Sequence, residues 1–304
     1  MSKVSSIFCR LPGNKFIWRN GQNSFRYSSS DKHMMSTAEQ TNPPEILLHH
    51  HSDTIVKLTF NRPKKANAIG TKMLRELQDN ITLLSGQAGT SIRCVILTSC
   101  SDTIFSAGAD LKERSTMTKE EAASFVTSLR SCLDELQSLP MPLIASVEGA
   151  ALGGGLEIAL TADLIVAGSN ARFGAPETSL AIIPGAGGTQ RLPRLIGTAR
   201  AKELIYTARK IDAKTAYEYG IAQYVVDGGC AEEQALKLAK EIAENGPIAL
   251  RAAKRSINIG MQCPILEDAM EIEKDNYQIV LETEDRLEGL AAFREKRQPH
   301  YEGH

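Results

Sequence analysis

Glu157 and Glu177 stand twenty residues apart in a stretch, Gly149 to Gly188, that also carries two glycine clusters, Gly153-Gly154-Gly155 and Gly185, Gly187 and Gly188. Glu157 falls in an otherwise apolar turn of Leu156, Ile158, Ala159 and Leu160, where burying a carboxylate is costly without a purpose. Glu177 follows Pro176 and is expected to project from a rigid turn. Two carboxylates around one water can divide proton work, one taking a proton and the other delivering one.

The glycines suggest where negative charge would be held. Gly153 to Gly155 follow a strand and open a helix, and unpaired N–H groups at a helix start stabilise an anion. Gly108-Ala109, in an earlier loop, could supply a second N–H. Two such donors would polarise a carbonyl and hold an enolate. Nucleotide binding is the weaker reading, because the run is GGG after a middle strand and GxxxxGK[ST] is absent. A purely structural reading stands beside the catalytic one: tight helix–strand packing for GGG, and Arg172 or another cation as partner for Glu157. Asp110 and Glu148 are further carboxylates nearby, read as a helix cap and a solvated surface group.

Other chemistries find little material. The six histidines are His33, His49, His50, His51, His300 and His304, so a Ser-His-Asp or Cys-His site would need a base from a terminus. A histidine-ligated metal is unexpected for the same reason, and the His49–His51 triplet reads as a solvated edge strand. The six cysteines form no CxxC and read as reduced thiols. The formal net charge of −1 gives no overall pull on nucleic acid or an anionic membrane. No window approaches the roughly 18 apolar residues of a membrane span.

The elements that must position these residues follow from periodicity. Strands are expected at Glu45 to Leu48, Thr54 to Phe60, Arg93 to Thr98, Leu143 to Val147, Asp163 to Val166, near Phe173, and at Ile221 to Val226. Helices are expected from Thr71 to Gly86 and from Thr118 to Ser138. Beyond residue 187 the chain turns helical, with Asp212 as a cap and Pro247 as a start. Strands alternating with helices argue an α/β fold with a mainly parallel sheet. Residues 1–40 differ: Lys3, Arg10, Lys15, Arg19, Arg26 and Lys32 face one acid, Asp31, before residue 39, among serines and apolar residues. That is the composition of a mitochondrial transit peptide, with a disordered basic tail as the alternative.

Four motifs in register carry a resemblance: Asn61-Arg62-Pro63-Lys64-Lys65-Ala66-Asn67-Ala68, Phe105-Ser106-Ala107-Gly108-Ala109-Asp110-Leu111, Gly153-Gly154-Gly155-Leu156-Glu157 and Ile183-Pro184-Gly185-Ala186-Gly187-Gly188-Thr189-Gln190-Arg191. From about residue 45 to 304 the chain resembles the enoyl-CoA hydratase/isomerase, or crotonase, family. The resemblance implies a spiral of ββα turns over residues 45–240 and a helical trimerisation region over 241–304, often assembled as a dimer of trimers. It implies an oxyanion hole from the N–H groups of Ala109 and Gly154, and a water held by Glu157 and Glu177. It places Lys64, Ala66, Ala68, Ala107, Asp110, Leu111, Lys112 and Gly185 along the substrate. Coenzyme A would be part of that substrate, with no resident cofactor.

Both glutamates are present, which favours hydration of a 2-enoyl-CoA in the mitochondrial matrix, with isomerisation or thioester hydrolysis as alternatives. Asp285-Arg286-Leu287-Glu288-Gly289-Leu290-Ala291-Ala292-Phe293-Arg294-Glu295 adds a likeness to the methylglutaconyl-CoA hydratase, or AU-binding, branch. A methylglutaconyl group carries a distal carboxylate and wants a cation, for which Lys112, Arg114 and Lys119 are candidates. The lysine-rich helix face of RNA-binding members is missing here: Thr71 to Gly86 holds only Lys72 and Arg75, which counts against RNA binding.

Overall fold

A computed structural model describes residues 43–86 and 91–304; the transit-peptide reading of residues 1–40 lies outside the described residues. The chain begins with β1 (Ile46–His50), β2 (Ile55–Phe60), α1 (Thr71–Gly86), β3 (Cys94–Ser99), β4 (Ile104–Ser106), the short α2 (Leu111–Arg114) and α3 (Lys119–Gln137). It continues through β5 (Leu143–Val147), β6 (Ala150–Leu152), α4 (Gly154–Ala159), β7 (Leu164–Gly168) and β8 (Arg172–Gly174). After a 3₁₀ turn at Pro176–Leu180 come α5 (Gly188–Ile196), α6 (Thr198–Thr207), β9 (Lys210–Asp212), α7 (Ala213–Tyr219), β10 (Tyr224–Val226) and α8 (Ala231–Ala243). Three helices end the chain: α9 (Pro247–Gly260), α10 (Leu266–Leu281) and α11 (Glu284–Glu295).

The strands build two sheets. A six-stranded sheet runs β1-β2-β3-β5-β7-β10, antiparallel at its β1 edge and parallel beyond. A four-stranded sheet runs β4-β6-β8-β9. Successive turns of chain lay one strand in the large sheet, the next in the small sheet, and then a helix, as in β3-β4-α3 and β5-β6-α4. That is the ββα spiral implied by the resemblance. Periodicity alone anticipates one mainly parallel sheet. The small sheet escapes it because β4, β6, β8 and β9 are three residues each, too short to show a repeat of two.

Parallel strands covered on both faces read as unbroken apolar runs, and every residue of β5 is buried. The two faces of the large sheet can be told apart residue by residue. Val56, Leu58, Val95 and Leu97 face the main core with Phe105, Leu133 and Phe173. The alternate residues Ile55, Cys94 and Ile96 face a second core closed by Ala235, Leu238 and Ala239 of α8. The stripe Leu74, Leu77, Ile81 and Leu84 of α1 is buried as the spacing requires. Thr118 and Glu121 form a reciprocal capping box that starts α3. His49 and His50 lie exposed on the β1 edge, as the solvated-strand reading has it.

Past α8 the chain is tied back by polar clamps. Lys254 of α9 meets Asp163 at 2.8 Å and donates to the Met141 carbonyl at 3.0 Å. Asp285 of α11 accepts from the Glu302 and Gly303 N–H groups at 2.7 and 3.0 Å.

Candidate active site

The site forms where β4 and β6 of the small sheet end. The loop after β4 is pinned by Asn67, a buried residue that donates to the Phe105 carbonyl at 3.0 Å and the Ser99 hydroxyl at 2.8 Å. Ala107 N donates to the Ala66 carbonyl, and Ser106 Oγ to the Asn67 carbonyl. Ile69 and Ala109 form a lone parallel bridge, made by Ile69 N to Gly108 O at 2.8 Å and Asp110 N to Ile69 O at 3.1 Å. The bridge leaves the Ala109 N–H unused. Gly154 is the first residue of α4, so its N–H has no helical acceptor.

These two amides are brought together by Gly108. Its φ of +88° suits glycine, and a Cβ there would stand 2.9 Å from Gly154 N and 2.7 Å from the Leu152 carbonyl. On the Gly154 side, a Cβ would lie 3.6 Å from Ala109 N. Two free donors this close can bind one oxygen that carries developing charge.

Glu157 sits one turn into α4 and is 4% exposed. Its Oε1 accepts from Ala186 N at 2.8 Å and Gly188 N at 2.7 Å, at the N-terminus of α5. Burial raises its pKa; the Gly188 and Ala186 N–H bonds and the charges of Arg191 and Arg130 oppose that rise. The same arginines hold the loop that supplies the amides: Arg191 donates to the Ala186 carbonyl at 2.8 Å and Arg130 to the Gly185 carbonyl at 2.9 Å. The suggested Arg172 partnership does not form, since Arg172 is exposed and donates to its own Ala171 carbonyl.

Glu177 is the second residue of the 3₁₀ turn, as its place after Pro176 anticipates. Its Oε1 lies 3.1 Å from the position a Cβ on Gly153 would take. Its Oε2 is buried without a hydrogen-bond partner. Burial, with a contribution from the Glu157 charge, pushes its pKa up to about 7.

A cavity of about 440 Å³ opens on all four groups. Of the residues expected along a substrate, Ala107, Leu111 and Gly185 line it with Ala109, Gly154, Glu157 and Glu177. Lys64, Ala66, Ala68, Asp110 and Lys112 do not. Ala66 and Ala68 lend their carbonyls to the Ala107 N–H and to Arg62. Asp110 caps α2 through the Lys112 and Glu113 N–H groups and pairs with Arg62 at 2.8 Å, the capping role read for it. Although burial works the other way, the Glu113 N–H and Arg62 hold its pKa below the ordinary range. Glu148, read as a solvated acid, is instead buried, accepting from Gly229 N and Ala231 N at the start of α8. Much of the remaining lining, including Ala122, Val126, Leu129, Leu180 and Ile182, is apolar; Arg114 and Ser115 are its other polar side chains, and among the described residues Glu157 and Glu177 are the only carboxylates in it. Among the described residues no group of three or more His, Cys, Asp or Glu is placed to hold a metal.

Comparison with known proteins gives the chain a family. The family model described as enoyl-CoA hydratase/isomerase matches residues 50–304. The chain belongs to the enoyl-CoA hydratase/isomerase family. A relative from Arabidopsis thaliana, named as a probable mitochondrial enoyl-CoA hydratase 2, is 47% identical over 268 residues, covering 87% of this chain and 88% of its own. The human mitochondrial methylglutaconyl-CoA hydratase is 40% identical over 307 residues, covering 97% of this chain and 90% of its own. The crystal structure of an enoyl-CoA hydratase from Bacillus anthracis superposes with a TM-score of 0.83 at 47% identity, covering 86% of this chain and all of that one. As a member of the enoyl-CoA hydratase/isomerase family the chain is an enzyme of the hydro-lyase kind. The amides of Ala186 and Gly188 that hold Glu157 are not foreseen in the sequence: the glycine cluster at Gly185–Gly188 marks a helix start, but not which carboxylate its N–H groups meet.

Proposed function

We propose that the chain adds water across the 2,3 double bond of a short or branched 2-enoyl-CoA in the mitochondrial matrix, with 3-methylglutaconyl-CoA and short straight-chain enoyl-CoA as the leading acyl groups. The pairing of Glu157 and Glu177 beside two free amides in one cavity carries this reading. The thioester oxygen accepts from the N–H groups of Ala109 and Gly154. Glu157, ionised and held at the start of α5, takes one proton from a water as its oxygen bonds to C3. The electron pair of the double bond moves to the thioester oxygen as an enolate. Glu177, still protonated near neutral pH, gives its proton to C2 as the enolate collapses. Proton exchange between the two carboxyls then restores the starting state. Each step is proton transfer or addition, so coenzyme A enters only as the carrier of the substrate.

Two further points belong to the proposal. The basic, serine-containing leader and the mitochondrial relatives support a matrix location. The exposed apolar surface of α9–α11 supports a homotrimer or a dimer of trimers. RNA is not among the proposed ligands: on α1, Lys72 already faces Glu76 at 3.6 Å.

The test is loss of conjugated-thioester absorbance with crotonyl-CoA and 3-methylglutaconyl-CoA, followed by mass analysis of the product. A gain of one water is expected for at least one substrate. An unchanged mass would indicate isomerisation, and free coenzyme A would indicate hydrolysis; either one, or no turnover by folded protein, overturns the hydratase reading.

A further inference from the structure

Beyond the catalytic pair, the cavity meets a larger groove of about 1280 Å³. Arg114, Val126, Ile182, Ile183 and Gly185 line both and so mark the junction, whereas Glu157, Glu177, Ala109 and Gly154 line only the smaller space. Arg114 therefore lies where the two spaces meet, in a smaller cavity whose lining includes the apolar Ala122, Leu129 and Leu180. It is also the only charged side chain in the smaller cavity other than the two glutamates.

Four arginines surround the two spaces, and three are occupied. Arg130 donates to the Gly185 carbonyl, Arg191 to Asp134, Gln137 and the Ala186 carbonyl, and Arg194 to Gln190. Arg114 is different: its guanidinium lies over the Phe125 ring, 5.2 Å from the centroid, and among the described residues no carboxylate or carbonyl accepts from it. The ring contact uses none of the guanidinium N–H donors as a hydrogen-bond acceptor would, which leaves them to a ligand. A fork of donors beside apolar lining has the shape for one carboxylate on a hydrocarbon chain. A coenzyme A phosphate, with more charge, would call for several cations, and the smaller cavity offers one.

We propose that Arg114 is a specificity-determining residue: it binds a carboxylate at the distal end of the acyl chain, so that the enzyme prefers dicarboxylic mono-thioesters, of the glutaconyl type, over neutral chains of equal length. The inference rests on the acyl-CoA reading of the cavity but not on the reaction that follows. It is an assignment of ligand chemistry to a side chain that the hydration mechanism does not use.

The test separates binding from turnover. Calorimetric titration of the full chain with glutaryl-CoA and with valeryl-CoA, which has a methyl group in place of the terminal carboxylate, should give a clear preference for glutaryl-CoA. Arg114→Met should erase that preference, weakening glutaryl-CoA by roughly 10²-fold while valeryl-CoA moves far less. Arg114→Lys keeps the charge without the fork and should restore part of the preference. Equal weakening of both ligands by Arg114→Met would assign the arginine to the coenzyme and overturn the proposal. So would equal affinity of the unaltered enzyme for the two, a result that holds even if the variants fail to fold. Selective binding of glutaryl-CoA with no hydration of any enoyl-CoA would leave this assignment standing and overturn the hydratase reading alone.

Discussion

Glu177 has one buried carboxylate oxygen with no hydrogen-bond partner among the described residues. Burial and the neighbouring Glu157 charge hold its proton up to about pH 7. If Glu177 delivers a proton to C2, kcat/KM must fall as pH rises through about 7, and must fall again at lower pH as Glu157 becomes protonated. A bell-shaped profile is expected, and replacing Glu177 by Gln should remove its alkaline limb along with roughly 10²-fold of kcat. The same shift has a stability consequence of definite sign. A carboxyl whose folded pKa is raised disfavours the folded state above that pKa, because the buried group must then carry charge. Glu177→Gln should therefore raise Tm at pH 8, with the gain shrinking towards pH 5; an equal change at both would argue that Glu177 is hydrated and unshifted.

Glu157 was legible as an acid among apolar neighbours, and Glu177 as an acid after proline. What was not legible is that both donors to Glu157 are main-chain amides 29 and 31 residues downstream, at the start of α5.

At the level of elements, the helix α5 matters through its first turn. Gly188 supplies an N–H to Glu157, and a Cβ there would meet Pro184 Cβ at 2.9 Å and Glu157 Oε1 at 3.0 Å. Gly188→Ala should displace the carboxylate or the loop and lower kcat by about 10-fold or more with little change in fold, as read by circular dichroism. Gly86→Ala is the control, because a Cβ there meets nothing within 4 Å. Unchanged kcat in Gly188→Ala would show that the loop yields freely. The long elements were readable because their apolar spacing is strong: α1 runs from Thr71 to Gly86 and α11 from Glu284 to Glu295, as expected. The strand expected over Ile221 to Val226 shrinks to Tyr224–Val226, because Ile221 and Ala222 are buried by the turn before it rather than by pairing. The small sheet holds the loops of the candidate site, yet its three-residue strands are fixed by neighbours far away in sequence, so periodicity marked only the piece near Phe173 and the family resemblance implied the rest.

Across the whole molecule, the C-terminal helices leave apolar groups in water. Met261, at the end of α9, is 82% exposed, Leu266 of α10 72% and Phe293 of α11 86%, on helices that bury few of their own residues. Such a surface is the mark of an interface. Light scattering should find trimers or hexamers of the unaltered chain, and Phe293→Asp should shift the population towards monomer; a monomer at every concentration would refute the assembly. Lys254 ties the C-terminal region to Asp163 and the Met141 carbonyl, and Asp285 holds the chain end through the Glu302 and Gly303 amides, partners that no sequence pattern announces.

The large sheet grows almost strictly in chain order, β1 to β10, but the helix that covers its second face comes last. Ile55, Cys94, Ile96, Ile144 and Val166 all emerge from the ribosome before α8 does. At roughly 5–20 residues per second, synthesis leaves that apolar face uncovered for on the order of ten seconds or more between β2 and the end of α8. A nascent chain stalled short of Ala231 thus presents a nearly finished sheet with one bare side, the form in which this protein would most need a chaperone.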